Sequence, residues 1–380
     1  MNKITHLMLC GALCSALSAY AENAETPADA AESDALIALS LNTPSAAEGG
    51  AGNHCGHHDR VDVSEIIRLG LEARVDYQRD WLDGHTQKSN TGFEGKYIDI
   101  RLDGCIVPGL TYSWRHRFNK MSKDANFFDA TDWLYVNYDY RRWSFQAGKE
   151  VVMIGGWEYD RAPIDLYSCS VFWNNIPCYD LGVSVGYGVS ANDRLSVQAI
   201  QSPFFTPENR DMYGYSLFWQ GNHGWYKSLW SANLFEYAEG KYINYLALGN
   251  RFEVERWTLD LDLMNRASSH QTFFFKDCSL MAELSFKPTK RWNIFAKYTY
   301  DVNKSGTGAD VTVMNGTELN MIGGGLEFYP LLKKKTSLRL HANCFYAWGH
   351  NANSANVMQN KSTMLDFGVT WYMNLFKLNR

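Results

Sequence analysis

The strongest constraint on this chain is a strict alternation of apolar and polar residues that begins near Ile67. Over residues 68–78 every second position is apolar, and the positions between them are charged, polar or glycine. Successive side chains of a β-strand point to opposite faces, so this segment is predicted to be a strand with one apolar and one polar face.

The same pattern recurs in sixteen segments, most of them longer than the roughly 5–6 residues typical of strands in soluble sheets. Strands that cross a bilayer at a tilt need about 9–11 residues. The polar faces carry small residues such as Gly182 and Ser184, whereas the apolar faces carry the Trp and Tyr residues, which is the inverse of a soluble protein. The segments centre near residues 73, 99, 114, 136, 146, 184, 198, 216, 230, 246, 261, 282, 296, 324, 342 and 369.

The connections between these segments alternate in length. The long ones are Leu82–Thr91, Asn119–Phe127, Val151–Cys178, Pro203–Arg210, Ala267–Phe274, Val302–Glu318 and Gly349–Ser362. The short ones are Arg141-Arg142, Ala191–Asp193, Gly221–Gly224, Phe252–Arg256 and Lys287–Lys290, and Tyr237–Gly240 is short where a long one is expected. Outer-membrane barrels have tight periplasmic turns and longer outer loops. We therefore predict an all-β fold, a transmembrane antiparallel β-barrel of about 16 strands, which is wide enough for an aqueous channel.

The chain before the barrel has the composition of an exported protein. Residues 1–21 combine Lys3, an apolar run and the small-x-small sequence Ala19-Tyr20-Ala21, and this predicts a cleaved signal peptide. Residues 22–60 are acidic and rich in Ala, Ser and Gly, which predicts a disordered linker. Residues 61–380 then form the barrel, and we expect it in the bacterial outer membrane.

Several classes of function are disfavoured. A net charge of −5 argues against a nucleic-acid partner. After residue 21 no segment approaches the roughly 18 apolar residues of a membrane helix. The sequence Gly182-Val183-Ser184-Val185-Gly186 matches G-x-S-x-G, but alternation continues through it, whereas a nucleophile elbow needs a sharp strand-to-helix turn. We therefore expect no catalytic residues, no enzyme activity and no cofactor.

The third long connection, Val151–Cys178, is the longest in the predicted barrel. Near it lie Phe128-Asp129-Ala130, Phe145-Gln146-Ala147-Gly148-Lys149-Glu150 and Gly155-Gly156-Trp157-Glu158. In these motifs the chain resembles the phosphate-selective porin O and P family. The resemblance implies a sixteen-stranded porin, a third loop that folds into the lumen, and a homotrimer. The family's Pro-Phe-Gly-like turn is absent, because Val151–Ile154 contains no Pro.

Charged residues of the predicted strands should face the lumen, because a Lys or Arg facing lipid at the bilayer midplane costs about 2–4 kcal/mol. The inward-facing basic residues are Arg68, Arg74, Arg101, Arg115, Arg117, Lys297 and Arg339. Five of them come from the first three strands and predict a basic wall, although every porin lumen carries solvated charges. The inserted loop carries Glu158, Asp160 and Asp165 against Arg161. An acidic loop opposite a basic wall would create a transverse field.

The sequence therefore predicts a porin for passive diffusion of small hydrophilic solutes, general or weakly anion-preferring, with phosphate as one candidate anion. The alternative is an outer-membrane barrel that acts as an enzyme or an adhesin. The expected partners are outer-membrane lipid and small solutes or anions. No metal ligand set is predicted in the barrel. His54-Cys55-Gly56-His57-His58 has ligand types that suit zinc or copper, but it lies in the flexible linker. Whether Cys169 and Cys178 pair is left open.

Overall fold

Sixteen long antiparallel strands form one closed sheet. The computed structural model describes residues 65–121, 127–269, 271, 275–331, 338–353 and 361–379. The predicted signal peptide 1–21 and linker 22–60 lie outside the described residues. The strands are β1 Glu65–Leu82, β2 Gly92–Val107, β3 Leu110–Arg117, β4 Thr131–Tyr140, β5 Trp143–Val151, β6 Tyr179–Gly188, β7 Asp193–Gln201, β8 Tyr213–Asn222, β9 Tyr226–Ala238, β10 Lys241–Val254, β11 Trp257–Ser268, β12 Asp277–Thr289, β13 Trp292–Asn303, β14 Glu318–Phe328, β15 Leu338–His350 and β16 Lys361–Asn379.

Each strand pairs with its neighbour in the chain, and the last strand returns to the first. β16 runs antiparallel to β1 from Leu82↔Ser362 to Glu65↔Asn379, so the barrel is closed along its full height. A two-residue strand, His85–Thr86, pairs with the end of β1. All sixteen predicted segment centres lie inside observed strands, and the predicted barrel architecture is confirmed. No helix among the described residues is long and apolar enough to cross a membrane.

The alternation of the sequence appears as two chemically different faces. On the outer face the side chains of Val136 and Leu261 are 47% and 38% exposed. On the inner face their neighbours Asn137 and Asp260 are buried. In both strands the apolar side chains therefore face outward, as a strand in lipid requires.

Aromatic rings collect at the end of the barrel that carries the short turns. Trp143 packs against Tyr187 with ring centroids 4.7 Å apart, and Trp257 packs against Phe286 at 4.4 Å. A third pair, Trp292 and Phe328, lies at 4.6 Å beside the next turn. Such rings are enriched at the membrane–water interface, so they mark the periplasmic rim of the lipid-facing band.

The helices are short and lie in the long connections. They are α1 Phe127–Ala130, α2 Trp157–Asp160 and α3 Val171–Asn175, with 3₁₀ turns at Lys88–Asn90, Phe118–Lys120 and Pro163–Asp165. α2, α3 and the third 3₁₀ turn all belong to the connection between β5 and β6. That connection therefore has a fold of its own.

The two faces of β5 provide a direct test of topology. In a variant without cysteines, Gln146→Cys places a thiol in the lumen, whereas Ala147→Cys places one at the same depth on the exposed outer face. In lipid vesicles a membrane-impermeant thiol reagent should label Cys at position 146 and spare position 147. Equal labelling of both positions would contradict the barrel orientation.

Candidate functional site

The connection between β5 and β6, residues 152–178, is called loop 3 below. Its backbone is hydrogen-bonded to side chains on the inner faces of strands far from β5. The Met153 amide donates to Gln198 Oε1 and the Gly155 amide donates to Ser231 Oγ, each at 2.8 Å. Loop 3 therefore folds into the lumen, as the sequence predicts.

The loop touches the barrel wall with no side chain between them. A Cβ atom on Gly249 of β10 would lie 2.7 Å from Gly156 Cα, which is closer than van der Waals contact permits. Gly156 has a φ of +116°, a backbone conformation that favours glycine. Both glycines are therefore required for this close approach.

Asp262 of β11 binds the start of α2. Its carboxylate accepts hydrogen bonds from the Trp157 and Glu158 amides, both at 2.8 Å. Hydrogen bonds to a charged group are worth about 1.5–3 kcal/mol each. The Trp157 ring lies under the guanidinium of Arg251, 3.8 Å from its centroid. This part of loop 3 is therefore fixed to β10 and β11 by its backbone and by one ring.

The far part of loop 3 is bound to the strands on either side of the closure. Arg74 of β1 donates to the carbonyl oxygens of Ile164 and Leu166, at 3.3 and 2.6 Å. Tyr167 donates its hydroxyl to Glu327 of β14 at 2.6 Å. Together with the contacts above, these anchors follow the inner wall from β7 round to β1.

α3 closes the loop against the intervening strands. The Val171 amide donates to Asp301 of β13 at 2.8 Å, and Ser170 caps the helix by accepting from the Trp173 amide at 3.1 Å. Lys297 donates to the Ser168 carbonyl at 2.7 Å. These contacts on β13 lie in space between those on β11 and those on β14, although they involve the last part of loop 3. Loop 3 is therefore bound to the wall at its start, in its middle and at its end.

An apolar cluster lies inside the barrel beneath loop 3. It joins Ile154 and Phe172 of the loop to inner-face residues of β9 and β10, including Phe235, Ile243 and Tyr245. The polar interior expected from the alternation is therefore replaced by apolar packing in this sector. The inward-facing positions of β9 and β10 carry Phe, Ile and Tyr, and these residues could have revealed the apolar sector from the sequence.

A second connection also packs inward. Residues 304–317, between β13 and β14, include Asp310, which forms an ion pair with Arg266 at 2.6 Å. Thr312 lies 3.3 Å from the Tyr245 hydroxyl, and Val313 is fully buried in the apolar cluster. The sequence predicts this connection to be long but gives no sign of its inward position.

The seven basic residues expected at the pore each form an ion pair. The nitrogen–oxygen distances are 3.3 Å for Arg68–Asp103, 2.6 Å for Arg74–Asp76, 2.8 Å for Arg101–Asp103, 2.7 Å for Arg115–Asp99, 2.7 Å for Arg117–Asp132, 2.6 Å for Lys297–Glu158 and 2.7 Å for Arg339–Asp165. Arg68 and Arg101 keep 23% and 19% of their side chains exposed, whereas the other five are buried. Each of the seven basic residues therefore lies against a carboxylate, and Arg68 and Arg101 share Asp103.

The charged residues of loop 3 take part in the same pairing. Glu158 and Asp165 are the partners of Lys297 and Arg339, and Asp160 is buried. Arg161 contacts Asp260 at 2.8 Å and Glu283 at 2.7 Å. Burial lowers the pKa of the Arg161 guanidinium, but these two carboxylates more than offset it, so that pKa is raised well above its usual value. The charged side chains of Glu158, Arg161 and Asp165 therefore bind loop 3 to the barrel wall.

No disulfide joins the loop 3 cysteines Cys169 and Cys178. Burial raises the pKa of the Cys169 thiol to about 12. The thiolate is the reactive form, so Cys169 is inert at neutral pH.

A sixteen-stranded barrel with an inserted third loop is the architecture that the sequence motifs imply. The sequence matches the family described as phosphate-selective porin O and P over residues 67–373. The chain belongs to that family. It is a porin of the bacterial outer membrane, through which small hydrophilic solutes diffuse passively. A comparison with curated proteins finds no significant match.

Solved structures share the fold at low sequence identity. An anion-selective porin from Comamonas acidovorans has a TM-score of 0.57 at 9% identity, covering 81% of this chain and 100% of that chain. The outer membrane channel DcaP of Acinetobacter baumannii has a TM-score of 0.57 at 9% identity, covering 81% and 96%. OmpT of Vibrio cholerae in its trimer form has a TM-score of 0.53 at 12% identity, covering 81% and 100%.

The close approach at Gly249 gives a test of loop 3. Gly249→Ala should push the loop away from the wall, because the new methyl group overlaps the Gly156 backbone. Single-channel recordings in planar bilayers should show altered conductance and added current noise. The matched control is Gly95→Ala, where a Cβ atom meets nothing within 4 Å. Identical recordings for the two variants would show that the loop does not set the conductance.

Proposed function

We propose that this porin is a general diffusion pore with little preference among small ions. The observation that carries the proposal is the pairing of all seven predicted pore arginines and lysines with carboxylates. A compensated ion pair presents little net charge to a passing ion. We also propose that solutes pass between loop 3 and the inner faces of β2–β6, because the anchors of loop 3 follow the opposite part of the wall.

Strong selection for phosphate is disfavoured by the same pairing. Phosphate is recognised by guanidinium and ammonium groups that offer free donors, often in bidentate geometry. The basic groups of this lumen donate to Asp and Glu side chains instead. A phosphate ion would have to displace those carboxylates, and each displacement would leave a negative charge beside the bound anion.

A weak anion preference is the second candidate. It is favoured by the partial exposure of Arg68 and Arg101, whose strands adjoin the proposed path. Both guanidiniums pair with Asp103, and Arg68 also lies 3.7 Å from Glu65. The similarity to an anion-selective porin in fold agrees with this candidate.

We infer that the barrel acts as a channel and has neither enzyme nor adhesin activity. Ser184, the centre of the G-x-S-x-G sequence, lies within the continuous strand β6 and donates its hydroxyl to Glu150 at 2.8 Å. Its inward neighbours along the strand are Gly182 and Gly186, which bring no base. This arrangement supports a structural role for the serine.

We further propose that residues 1–21 are a cleaved signal peptide, residues 22–60 a linker, and the mature protein a homotrimer. The trimer proposal is supported by the trimer form of the similar Vibrio cholerae protein. Chemical cross-linking of the protein in detergent, read as a ladder ending at three chains, tests it.

The shared carboxylate of Asp103 offers a test of selectivity. Asp103→Asn should remove one negative charge from beside Arg68 and Arg101, next to the proposed path. A change of one unit charge shifts the energy of an ion ~8 Å away in water by about 0.5 kcal/mol, with opposite sign for anions and cations, so the anion-to-cation permeability ratio should rise about 5-fold at low salt. Reversal potentials in a KCl gradient report this ratio.

The control is Glu94→Gln, which removes the same charge from a side chain that is 58% exposed at the outer rim. The control should leave the reversal potential unchanged. An unchanged potential for Asp103→Asn as well would show that Arg68 and Arg101 lie away from the path. Block of the wild-type chloride current by inorganic phosphate would contradict the general pore.

Removal of the linker tests the domain proposal. A chain with residues 22–60 deleted and the signal peptide kept should still assemble, because the barrel closes through its own strands from Glu65 onward. The measurement is heat-modifiable mobility of the outer-membrane fraction on gels. Failure of the deleted chain to insert, beside normal insertion of the full chain, would show that the segment has a role in assembly.

A further inference from the structure

Three side chains from opposite ends of the chain meet at the seam where β16 closes on β1. They are Asp76 of β1, His341 of β15 and Asp366 of β16, and one ligand atom of each lies within 4.8 Å of the others. His341 Nε2 is 3.1 Å from Asp76 Oδ1 and 3.5 Å from Asp366 Oδ2. Ligand atoms about 2.0–2.1 Å from a tetrahedral zinc ion are separated by roughly 3.3 Å, so both distances suit a shared ion.

The histidine of this cluster is buried and lacks an ordinary hydrogen-bond partner. The His341 side chain has no exposed surface, and neither ring nitrogen has a hydrogen-bond partner among the residues that the structure describes. Buried polar groups in proteins are almost always paired. A ring nitrogen this close to two carboxylates therefore needs either a proton or a metal ion between it and their oxygens.

The net charge of the groups around His341 also leaves room for a bound cation. Arg74 Nη2 lies 2.6 Å from Asp76 Oδ2 and 3.2 Å from Asp366 Oδ2, so one guanidinium faces two carboxylates. With a neutral imidazole the group retains one negative charge. A proton on His341 would make the group neutral, and a divalent ion would leave it with one positive charge. A metal ion is favoured by geometry, because Nε2 lies 3.1 Å from Asp76 Oδ1 without forming a hydrogen bond to it, and a shared ion needs no N–H···O alignment.

We propose that Asp76, His341 and Asp366 form a binding site for a divalent metal ion of the zinc type. Imidazole nitrogen and carboxylate oxygen are ligands that zinc uses. Neighbouring groups hold the ligands in place: Asn343 donates to Asp366 Oδ2 at 3.2 Å, and the Tyr167 ring lies 4.5 Å from the His341 ring. Such outer contacts orient the ligands of metal sites.

The bound ion would join the seam of the barrel to loop 3. Its ligands come from three neighbouring strands, β15, β16 and β1. Arg74, which contacts two of those ligands, also binds the loop 3 carbonyls of Ile164 and Leu166. Because the site exists only in the closed barrel, the ion stabilises the folded state by mass action.

The experiment is a Zn²⁺ titration of the refolded mature chain after treatment with a chelator. His54, Cys55, His57 and His58 are replaced by Ser beforehand, because that cluster offers competing ligands. We expect one zinc ion per chain in isothermal titration and a higher unfolding temperature with zinc. Co²⁺ in the same site should give the visible absorption of a four- or five-coordinate ion.

The deciding variants are His341→Gln and Asp366→Asn. Each should weaken zinc binding by more than about 10-fold, the lower end of the effect of losing an outer-shell partner. The control is His223→Gln, which removes an exposed histidine that also contacts an aspartate, Asp193 at 3.0 Å, and it should bind zinc normally. If Asp366→Asn does not refold, His341→Gln alone decides. Absence of zinc binding, or equal binding by His341→Gln and the control, overturns the proposal and assigns the charge balance to an imidazolium.

Discussion

The fold depends on one constraint: the bilayer interior offers no water, so every backbone N–H and C=O group must find a partner within the protein. A closed sheet meets this requirement, and the pairing of β16 with β1 along its whole length supplies the closure. Closure then fixes the direction of the side chains. Alternate residues of each strand must face lipid, and the residues between them must face the lumen. The charged residues of the strands follow from that choice, since only the lumen can solvate or pair them.

The lumen solves a second problem, which is the packing of many charges in a narrow space. The seven inward-facing basic residues are paired with carboxylates of their own strand, of neighbouring strands or of loop 3. The backbone amides of loop 3 in turn donate to Asp262 and Asp301. Burial of a single charge would be costly, whereas a paired and hydrogen-bonded charge is tolerated. The same contacts that satisfy the charges also hold the loop in place. Selectivity and loop position therefore rest on one set of interactions.

The sequence reveals the parts of this structure that depend on local pattern. Alternation locates the strands and their faces, and loop length identifies the inserted loop. Contacts between distant segments leave no such pattern. Asp76, His341 and Asp366 lie close together only because the barrel closes in a particular strand register. Residue spacing in the sequence shows neither the closure nor the register. The inward position of residues 304–317 depends on Arg266 and Tyr245, which no spacing relates to Asp310 and Thr312. The pairing of Arg115 with Asp99 and of Arg117 with Asp132 is likewise invisible until the register of these strands is known.

The placement of the loop 3 anchors has a consequence for assembly order. The loop is held by Glu327 and Arg339 on one side of the β1–β16 seam and by Arg74 on the other. Arg74 reaches Asp366 across 292 residues of sequence, so this contact forms only after the first and last strands meet. Contacts of such long range are reached late in folding. A barrel that has entered the membrane but has not yet sealed its seam can therefore hold loop 3 through β7–β15, and the link from Asp366 through Arg74 to the loop forms only when the seam closes.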